Sequence, residues 1–183
     1  NEWVGSVFHP INEIKVFGIP CRESLYNFLI SRNFTHLMNW MASCVAPYLF
    51  KRRTEKIMRL IENQLIKEKP DILISLIPFI NYPASEAARR FGIPFLIVST
   101  DNDLCNWVNG LEHMTHSRVK VTIGSDLLTT RELLEKKGIP SEAIETIGLP
   151  LRSTFYSSMD KERLRFQHGI LPKRPVVLIM MGG

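Results

Sequence analysis

The chain has 183 residues, of which 45% are hydrophobic and 22% charged, a composition typical of a globular protein with enough length for a sizeable core. These values exclude a disordered chain, and no apolar run approaches the roughly 20 residues that cross a bilayer. The formal charge of +5 favours an anionic partner such as a nucleotide, a nucleic acid or an acidic lipid surface.

The cysteines and glycines exclude several classes of site. Cys21, Cys44 and Cys105 are odd in number and lack metal-ligand spacing, so we expect free, packed thiols in a reducing compartment. The sequence contains no G-x-G-x-x-G or Walker motif, which disfavours oxidoreductases and P-loop enzymes.

The first part of the chain predicts mainly helices. Residues 1–23 contain turn residues and predict a loop or short strands. Helical spacing from Ser24 predicts one or two helices, which Pro47 ends or kinks. A further amphipathic helix is predicted over residues 51–67, with Ile57, Ile61 and Leu65 on its apolar face.

Apolar runs alternate with helical segments in the rest of the chain. The run at 71–78 is apolar enough for a strand buried on both faces of a sheet. Asn81 is a possible N-cap of the next helix, which Gly92 closes. Strands are predicted at 71–78, 94–99, 119–123, 145–147 and 176–180, and further helices at 126–137 and 160–168. The alternation predicts an α/β fold, a Rossmann-like parallel sheet flanked by helices.

Parallel α/β sheets bind ligands at the carboxyl ends of their strands, so the residues after each apolar run are the candidate site. Pro78 and Phe79 follow the first strand and suit either an apolar acceptor wall or a simple helix entry. Thr100 and Asp101 follow the second strand, where a carboxylate either orients a hydroxyl or acts as a base, or caps a solvated turn. Trp107 lies in the next connection and is either an aromatic platform or a packed core residue.

Three further segments suggest anion binding. Arg152 follows Gly148-Leu149-Pro150-Leu151 and is either a phosphate ligand or a surface residue of a linker. Gly182 and Gly183 follow the last apolar run, where glycines let backbone N–H groups approach a phosphate. A basic cluster comes directly after an aromatic segment and predicts either contact with an anionic membrane or a solvated helix start. Its residues are Lys51, Arg52 and Arg53.

Four motifs together resemble the monogalactosyldiacylglycerol synthase family and its bacterial diacylglycerol glucosyltransferase relatives. They are Lys-Pro-Asp-Ile-Leu-Ile-Ser at 69–75, Ser-Thr-Asp at 99–101, Trp-Val-Asn at 107–109 and Gly-Leu-Pro-Leu-Arg at 148–152. Their order and spacing agree with that family, and the resemblance covers nearly the whole chain. The proline-arginine junction is also similar to the related enzyme that adds N-acetylglucosamine to a lipid-linked cell-wall precursor.

The resemblance implies a fragment of a GT-B glycosyltransferase, with two Rossmann-like domains facing a cleft. Residues 1–150 would be the N-terminal acceptor domain without its first strands, 151–172 the interdomain linker and helix, and 173–183 the truncated first strand of the C-terminal donor domain. The activity implied is transfer of a hexose from UDP-galactose or UDP-glucose to a lipid such as diacylglycerol, with no metal, no cofactor and no nucleic acid partner. The family's glycine-rich loop with its histidine would precede Asn1, so we expect this chain to be inactive alone.

The same resemblance implies the roles of individual residues. Asp101 would be the acceptor-side catalytic candidate, and the chain would act peripherally at the cytoplasmic face of a bacterial inner membrane or a plastid envelope. The acceptor side would include Pro78, Phe79, Thr100 and Trp107, the donor diphosphate would contact Arg152, Gly182 and Gly183, and the membrane surface would contact Lys51, Arg52 and Arg53. Two alternatives stay open: transfer from UDP-N-acetylglucosamine to a polyprenyl-linked cell-wall precursor, and a non-catalytic α/β module that binds a nucleotide or lipid.

Overall fold

A computed structural model describes residues 4–13, 15–16, 19–20, 28, 31–32, 34–101, 104, 106–112, 118–125, 128–157 and 160–177. The chain separates into two compact units, Asn1–Leu149 and Pro150–Gly183. The predicted division into an acceptor domain, a linker and a donor-domain strand stays a prediction. The predicted strand at 176–180 lies largely outside the described residues, and Val176 and Val177 have no regular secondary structure.

The first unit begins with short elements and continues with helices and strands in alternation. A 3₁₀ helix, Pro10–Glu13, precedes an antiparallel pair of two-residue strands, β1 (Lys15–Val16) and β2 (Ile19–Pro20). The elements that follow are α1 (Thr35–Trp40), a π-helix (Met41–Val45), α2 (Ala46–Arg52), α3 (Thr54–Glu68), β3 (Leu73–Ser75), α4 (Asn81–Phe91), β4 (Phe95–Val98), β5 (Val119–Ile123), α5 (Leu128–Lys136), a 3₁₀ helix (Ser141–Ala143) and β6 (Ile144–Thr146). The second unit contains a 3₁₀ helix (Ser153–Phe155) and α6 (Lys161–Gln167).

The larger sheet has four parallel strands in the order β3-β4-β5-β6, which confirms the predicted Rossmann-like α/β fold. Its two central strands form the middle of the core, where Ile97, Val121 and Ile123 are fully buried. No helix within the described ranges is long and apolar enough to cross a bilayer.

β3 differs from the prediction in length and in burial. It lies at the end of the strand order and the Ile74 side chain is 50% exposed, so the prediction of a strand buried on both faces is wrong here. It ends at Ser75 because the Ser75 hydroxyl donates to the Ile77 carbonyl at 3.3 Å, which turns the chain away from the sheet.

The helices before β3 also begin at different residues from those predicted. Pro47 lies in the first turn of α2, where a helix tolerates proline, and the change of helix geometry occurs before it, in the π-helix. The helix predicted over 51–67 divides at Arg53, because the Thr54 hydroxyl donates to the Lys51 carbonyl at 2.9 Å and α3 starts afresh there. The predicted apolar face of α3 is confirmed, since Ile57, Ile61 and Leu65 are buried.

Candidate functional site

The loops after β3 and β4 lie at the same edge of the sheet because these strands are parallel neighbours. We call residues 76–81, which include the first residue of α4, the β3 loop, and residues 99–101, 104 and 106–112 the β4 loop. Pro78 and Phe79 in the first are partly buried, whereas Thr100 and Asp101 in the second are exposed. The structure therefore brings these four predicted acceptor-side residues to one edge, with the exposed carboxylate on the β4 side.

Hydrogen bonds join the two loops directly. The Phe79 amide donates to the Asn106 carbonyl at 3.0 Å, and the Asn81 side-chain amide donates to the Trp107 carbonyl at 2.8 Å. Phe79 has a φ of 70°, in the left-handed region that residues with a side chain seldom adopt. The path of the β3 loop is thus held by its contact with the β4 loop.

The predicted role of Asn81 as an N-cap is wrong. Ile80 occupies the position before α4 and makes no side-chain cap, while Asn81 is the first helical residue. Its amide instead meets the buried Trp107 carbonyl, which would otherwise lack that donor. A sequence signal was present, because Asn81 is a polar residue directly after an apolar segment.

Trp107 is buried rather than displayed. Its side chain is 1% exposed, in the same core cluster as the buried Leu104, Val108 and Leu111 of the β4 loop. The ring therefore anchors the loop to the core, and the described contact of this residue with the β3 loop is made by its backbone carbonyl. Its contact with an acceptor stays a prediction.

A buried pair of hydroxyl residues fixes the point where the β4 loop leaves the sheet. Ser99 Oγ donates to the Thr122 carbonyl at 2.8 Å, and the Ser99 amide donates to Thr122 Oγ1 at 3.3 Å. Both residues are buried. Asp101 follows two residues later, so its backbone starts from a fixed position. Sequence reasoning missed Thr122, whose signal is a hydroxyl within a buried strand.

The basic cluster lies beside the β3 loop. The Phe50 ring at the end of α2 stacks on the Phe79 ring, with centroids 5.5 Å apart and an interplanar angle of 8°. Lys51 and Arg52 follow and are exposed, and the Arg52 guanidinium lies 5.2 Å from the centroid of the Tyr48 ring. Arg53 is partly buried. The structure therefore connects the cationic end of α2 to the β3 loop.

The residues predicted to contact the donor belong to the second unit, and two of them lie outside the described residues. Arg152 is exposed and precedes the 3₁₀ helix Ser153–Phe155, where its carbonyl accepts from the Phe155 amide at 2.9 Å. Gly182 and Gly183 lie outside the described residues, so their predicted contact with a diphosphate stays a prediction.

Ion pairs change the pKa of two groups away from the candidate site. Lys120 on β5 donates to Glu145 on β6 at 2.8 Å, and this hydrogen bond lowers the pKa of the Glu145 carboxyl. On α4, the hydrogen bond to the Glu86 carboxylate raises the pKa of Arg89. These pairs lie on the surface of the scaffold and join neighbouring turns or strands.

Known proteins resemble this chain over most of its length. The processive diacylglycerol beta-glucosyltransferase of Bacillus licheniformis is 31% identical over 136 residues, which are 73% of this chain and 32% of that protein. The monogalactosyldiacylglycerol synthase 1 of Arabidopsis thaliana, a chloroplastic protein, is 29% identical over 168 residues, which are 86% of this chain and 30% of that protein. The processive diacylglycerol beta-glucosyltransferase of Staphylococcus epidermidis is 27% identical over 121 residues, 66% of this chain and 29% of that protein. No protein-family model matches the chain.

These relatives come from bacteria and from a plant. The chain spans about a third of the length of the relatives that it matches. The sheet is consistent with part of a GT-B fold. The chain belongs to the family that contains the monogalactosyldiacylglycerol synthases and the bacterial diacylglycerol glucosyltransferases.

Proposed function

We propose that this chain is part of a glycosyltransferase that transfers a hexose from UDP-galactose or UDP-glucose to diacylglycerol or a similar membrane lipid. The observation that supports this most strongly is the stacking of Phe50 on Phe79. This contact joins an exposed cationic helix end to the apolar loop at the ligand-binding edge of the sheet. An enzyme that acts on a lipid needs a membrane-binding surface next to its acceptor site, because its acceptor is reached only at a membrane surface.

The cationic end of α2 is proposed to hold the enzyme at an anionic bilayer. Lys51 and Arg52 are exposed there, and Trp40 and Tyr48 expose more than half of their side-chain surface. From Ser24 to Thr54 the sequence contains no acidic residue, so nothing in that stretch offsets the basic groups. Basic residues near an anionic surface contribute about 1 kcal/mol each, and aromatic rings favour the interface. The protein would then be peripheral, with the β3 loop facing the lipid.

Asp101 is proposed to act on the acceptor hydroxyl. In the transfer, the hydroxyl oxygen bonds to the anomeric carbon of the sugar, the bond from that carbon to the diphosphate oxygen breaks, and UDP leaves. The proton of the hydroxyl must go to a base. The exposure of the Asp101 carboxylate supports the proposal that it orients the hydroxyl or accepts that proton. Thr100, Pro78 and Phe79 would line the acceptor side.

Arg152 is proposed to stabilise the leaving diphosphate together with Gly182 and Gly183. A guanidinium donates two hydrogen bonds to a phosphate, and backbone N–H groups beside glycines approach it closely. The negative charge on the diphosphate grows as the bond to the sugar breaks. Donors aimed at that charge lower the barrier by about 2 to 4 kcal/mol. The proposal includes no metal and no cofactor.

The assignment of Asp101 is tested in the full-length protein by steady-state kinetics of glycolipid formation. We expect Asp101→Asn to lower kcat by about 100-fold or more, since general base catalysis contributes on that order. The matched control is Asp71→Asn, an exposed aspartate before the amino end of β3, which should leave kcat unchanged. Equal kcat values for wild type and Asp101→Asn would remove Asp101 from the reaction.

A further inference from the structure

We infer that Asn81 is a positioning residue that joins the β3 loop to the β4 loop and so fixes the acceptor wall relative to Asp101. The structural part of this inference concerns the two loops alone. Its catalytic consequence rests on the proposed function.

The contacts of Asn81 link segments that are distant in sequence. Its side-chain amide donates at 2.8 Å to the carbonyl of Trp107, a residue 26 positions later in the chain. Two residues before Asn81, the Phe79 amide donates to the Asn106 carbonyl at 3.0 Å. The two bonds run between the same pair of loops, so together they restrict both translation and rotation of one loop against the other.

The burial of Asn81 supports a role beyond stability. The residue is 1% exposed, and its Oδ1 atom is buried with no hydrogen-bond partner among the described residues. Burying an amide that is only half satisfied costs free energy, and an apolar side chain at this position would avoid the cost. Asn81 has a compensating gain in the described structure, the bond from Nδ2 to the β4 loop.

A second close approach between the same segments has an independent cause. Gly110 in the β4 loop has a φ of +84°, and a Cβ atom at this residue would lie 2.9 Å from Cβ and Cγ of Tyr82. Tyr82 is the neighbour of Asn81 on α4. The β4 loop therefore packs against the first turn of α4 closely enough to require glycine. Such packing maintains the short distance that the Asn81 hydrogen bond needs.

The first experiment measures amide hydrogen exchange in the full-length protein, for wild type, Asn81→Ala and the control Ile144→Val. Ile144 is a buried residue on β6, at the far end of the sheet order from β3, and its substitution reduces stability without removing a hydrogen bond between the two loops. In Asn81→Ala we expect the Phe79 amide and the amides of residues 106–111 to exchange about tenfold faster or more, while β4 and β5 keep their protection. In Ile144→Val we expect the ratio of the loop exchange rates to the strand exchange rates to stay at its wild-type value.

The second experiment measures glycolipid formation by the same proteins. In Asn81→Ala we expect KM for the lipid acceptor to rise about tenfold and KM for the sugar nucleotide to stay within about twofold of wild type, because the defect is in the acceptor wall. A protein that is only destabilised loses active enzyme, which lowers kcat and leaves both KM values unchanged. That pattern in Asn81→Ala would overturn the catalytic part of the inference.

The two readouts separate the possible failures. Unchanged exchange of the two loops in Asn81→Ala, or equal acceleration in the loops and in β4, would overturn the positioning role whatever the activity. If the wild type forms no glycolipid with any acceptor, the proposed function fails. The exchange data would then still decide whether Asn81 joins the loops.

Discussion

Ser99 fixes the backbone position from which the β4 loop leads to the exposed Asp101. It does so through a hydrogen bond that is buried in the sheet. The Ser99 hydroxyl donates to the Thr122 carbonyl at 2.8 Å, across the pair of strands β4 and β5. A bond of this kind contributes about 1 kcal/mol net, and more is lost when its removal leaves a buried group without a partner. The exposed end of the loop thus depends on an interior contact.

Substitution of Ser99 tests this dependence. We expect Ser99→Ala to lower the free energy of unfolding by about 1 kcal/mol in urea titrations of the full-length protein. The matched control is Ser31→Ala, which removes an exposed hydroxyl-to-carbonyl bond of 2.9 Å to Phe28 and should change stability little. Equal losses in the two variants would contradict the importance of burial.

Gly110 provides a second test at the scale of one residue. Gly110→Ala adds a Cβ 2.9 Å from the Tyr82 side chain at a φ of +84°, so we expect a loss of about 1 to 3 kcal/mol in unfolding free energy. Gly92→Ala is the control, because Gly92 also has a positive φ of +67° but nothing within 4 Å of its Cβ. The larger loss at Gly110 measures the close packing of the β4 loop on α4; identical losses would exclude it.

The Lys120–Glu145 pair makes a prediction about pH. The hydrogen bond from Lys120 lowers the pKa of Glu145 in the folded protein, so the pair contributes stability above the usual carboxyl pKa, about 4.3. That contribution disappears as the pH falls through the lowered folded value. In Lys120→Met we expect the NMR titration midpoint of Glu145 to move up towards the usual value. A midpoint that does not move would show that Lys120 is not the cause.

At the scale of the element, the segment from α1 to α2 is proposed to bind the membrane surface. Lys51→Glu with Arg52→Glu reverses two exposed charges next to the aromatic face, and we expect binding of the full-length protein to vesicles with anionic lipid to fall about tenfold or more. The control is Lys67→Glu with Lys136→Glu, whose side chains are 76% and 77% exposed on other helices. Sedimentation at two salt concentrations measures both. Equal loss in the two double variants would indicate a general charge effect and contradict a specific surface.

The elements that sequence analysis predicted well are those for which local pattern and tertiary burial agree. β5 has the predicted bounds, and α3 has the predicted apolar face, because their apolar residues contact the core in the expected period. The bounds of β3 and the start of α3 depend on single hydroxyls, those of Ser75 and Thr54, whose local bonds end or restart an element. Hydrophobic patterns do not contain that information.

For the whole molecule, the edge of the sheet with the candidate site could be predicted, whereas its internal contacts could not. Parallel strand order places the β3 and β4 loops together, and this follows from the alternation of elements. The bond from Asn81 to Trp107 joins residues 26 positions apart, and the stacking of Phe50 on Phe79 joins two separate elements. Such pairs depend on the final packing, which one sequence does not specify residue by residue.

The 183 residues alone should not transfer sugar. They span about a third of the length of the relatives that they match, and a GT-B enzyme, as implied by the resemblance, needs a second domain for its donor. We expect no glycolipid from this isolated chain under conditions in which the full-length protein is active. Transfer by the isolated chain at a comparable rate would show that the proposed division of labour between two domains is wrong.

The measurement that tests the central claim most directly supplies the full-length protein with labelled UDP-galactose or, separately, UDP-glucose and with diacylglycerol in anionic liposomes. Chromatography then resolves the lipid products. The account predicts a labelled glycolipid from one of the two donors, and its disappearance in Arg152→Ala but not in Arg163→Ala, an exposed arginine of α6. No labelled lipid from either donor, with a folded protein, would contradict the account; labelling of a polyprenyl-linked cell-wall precursor instead would assign the other acceptor.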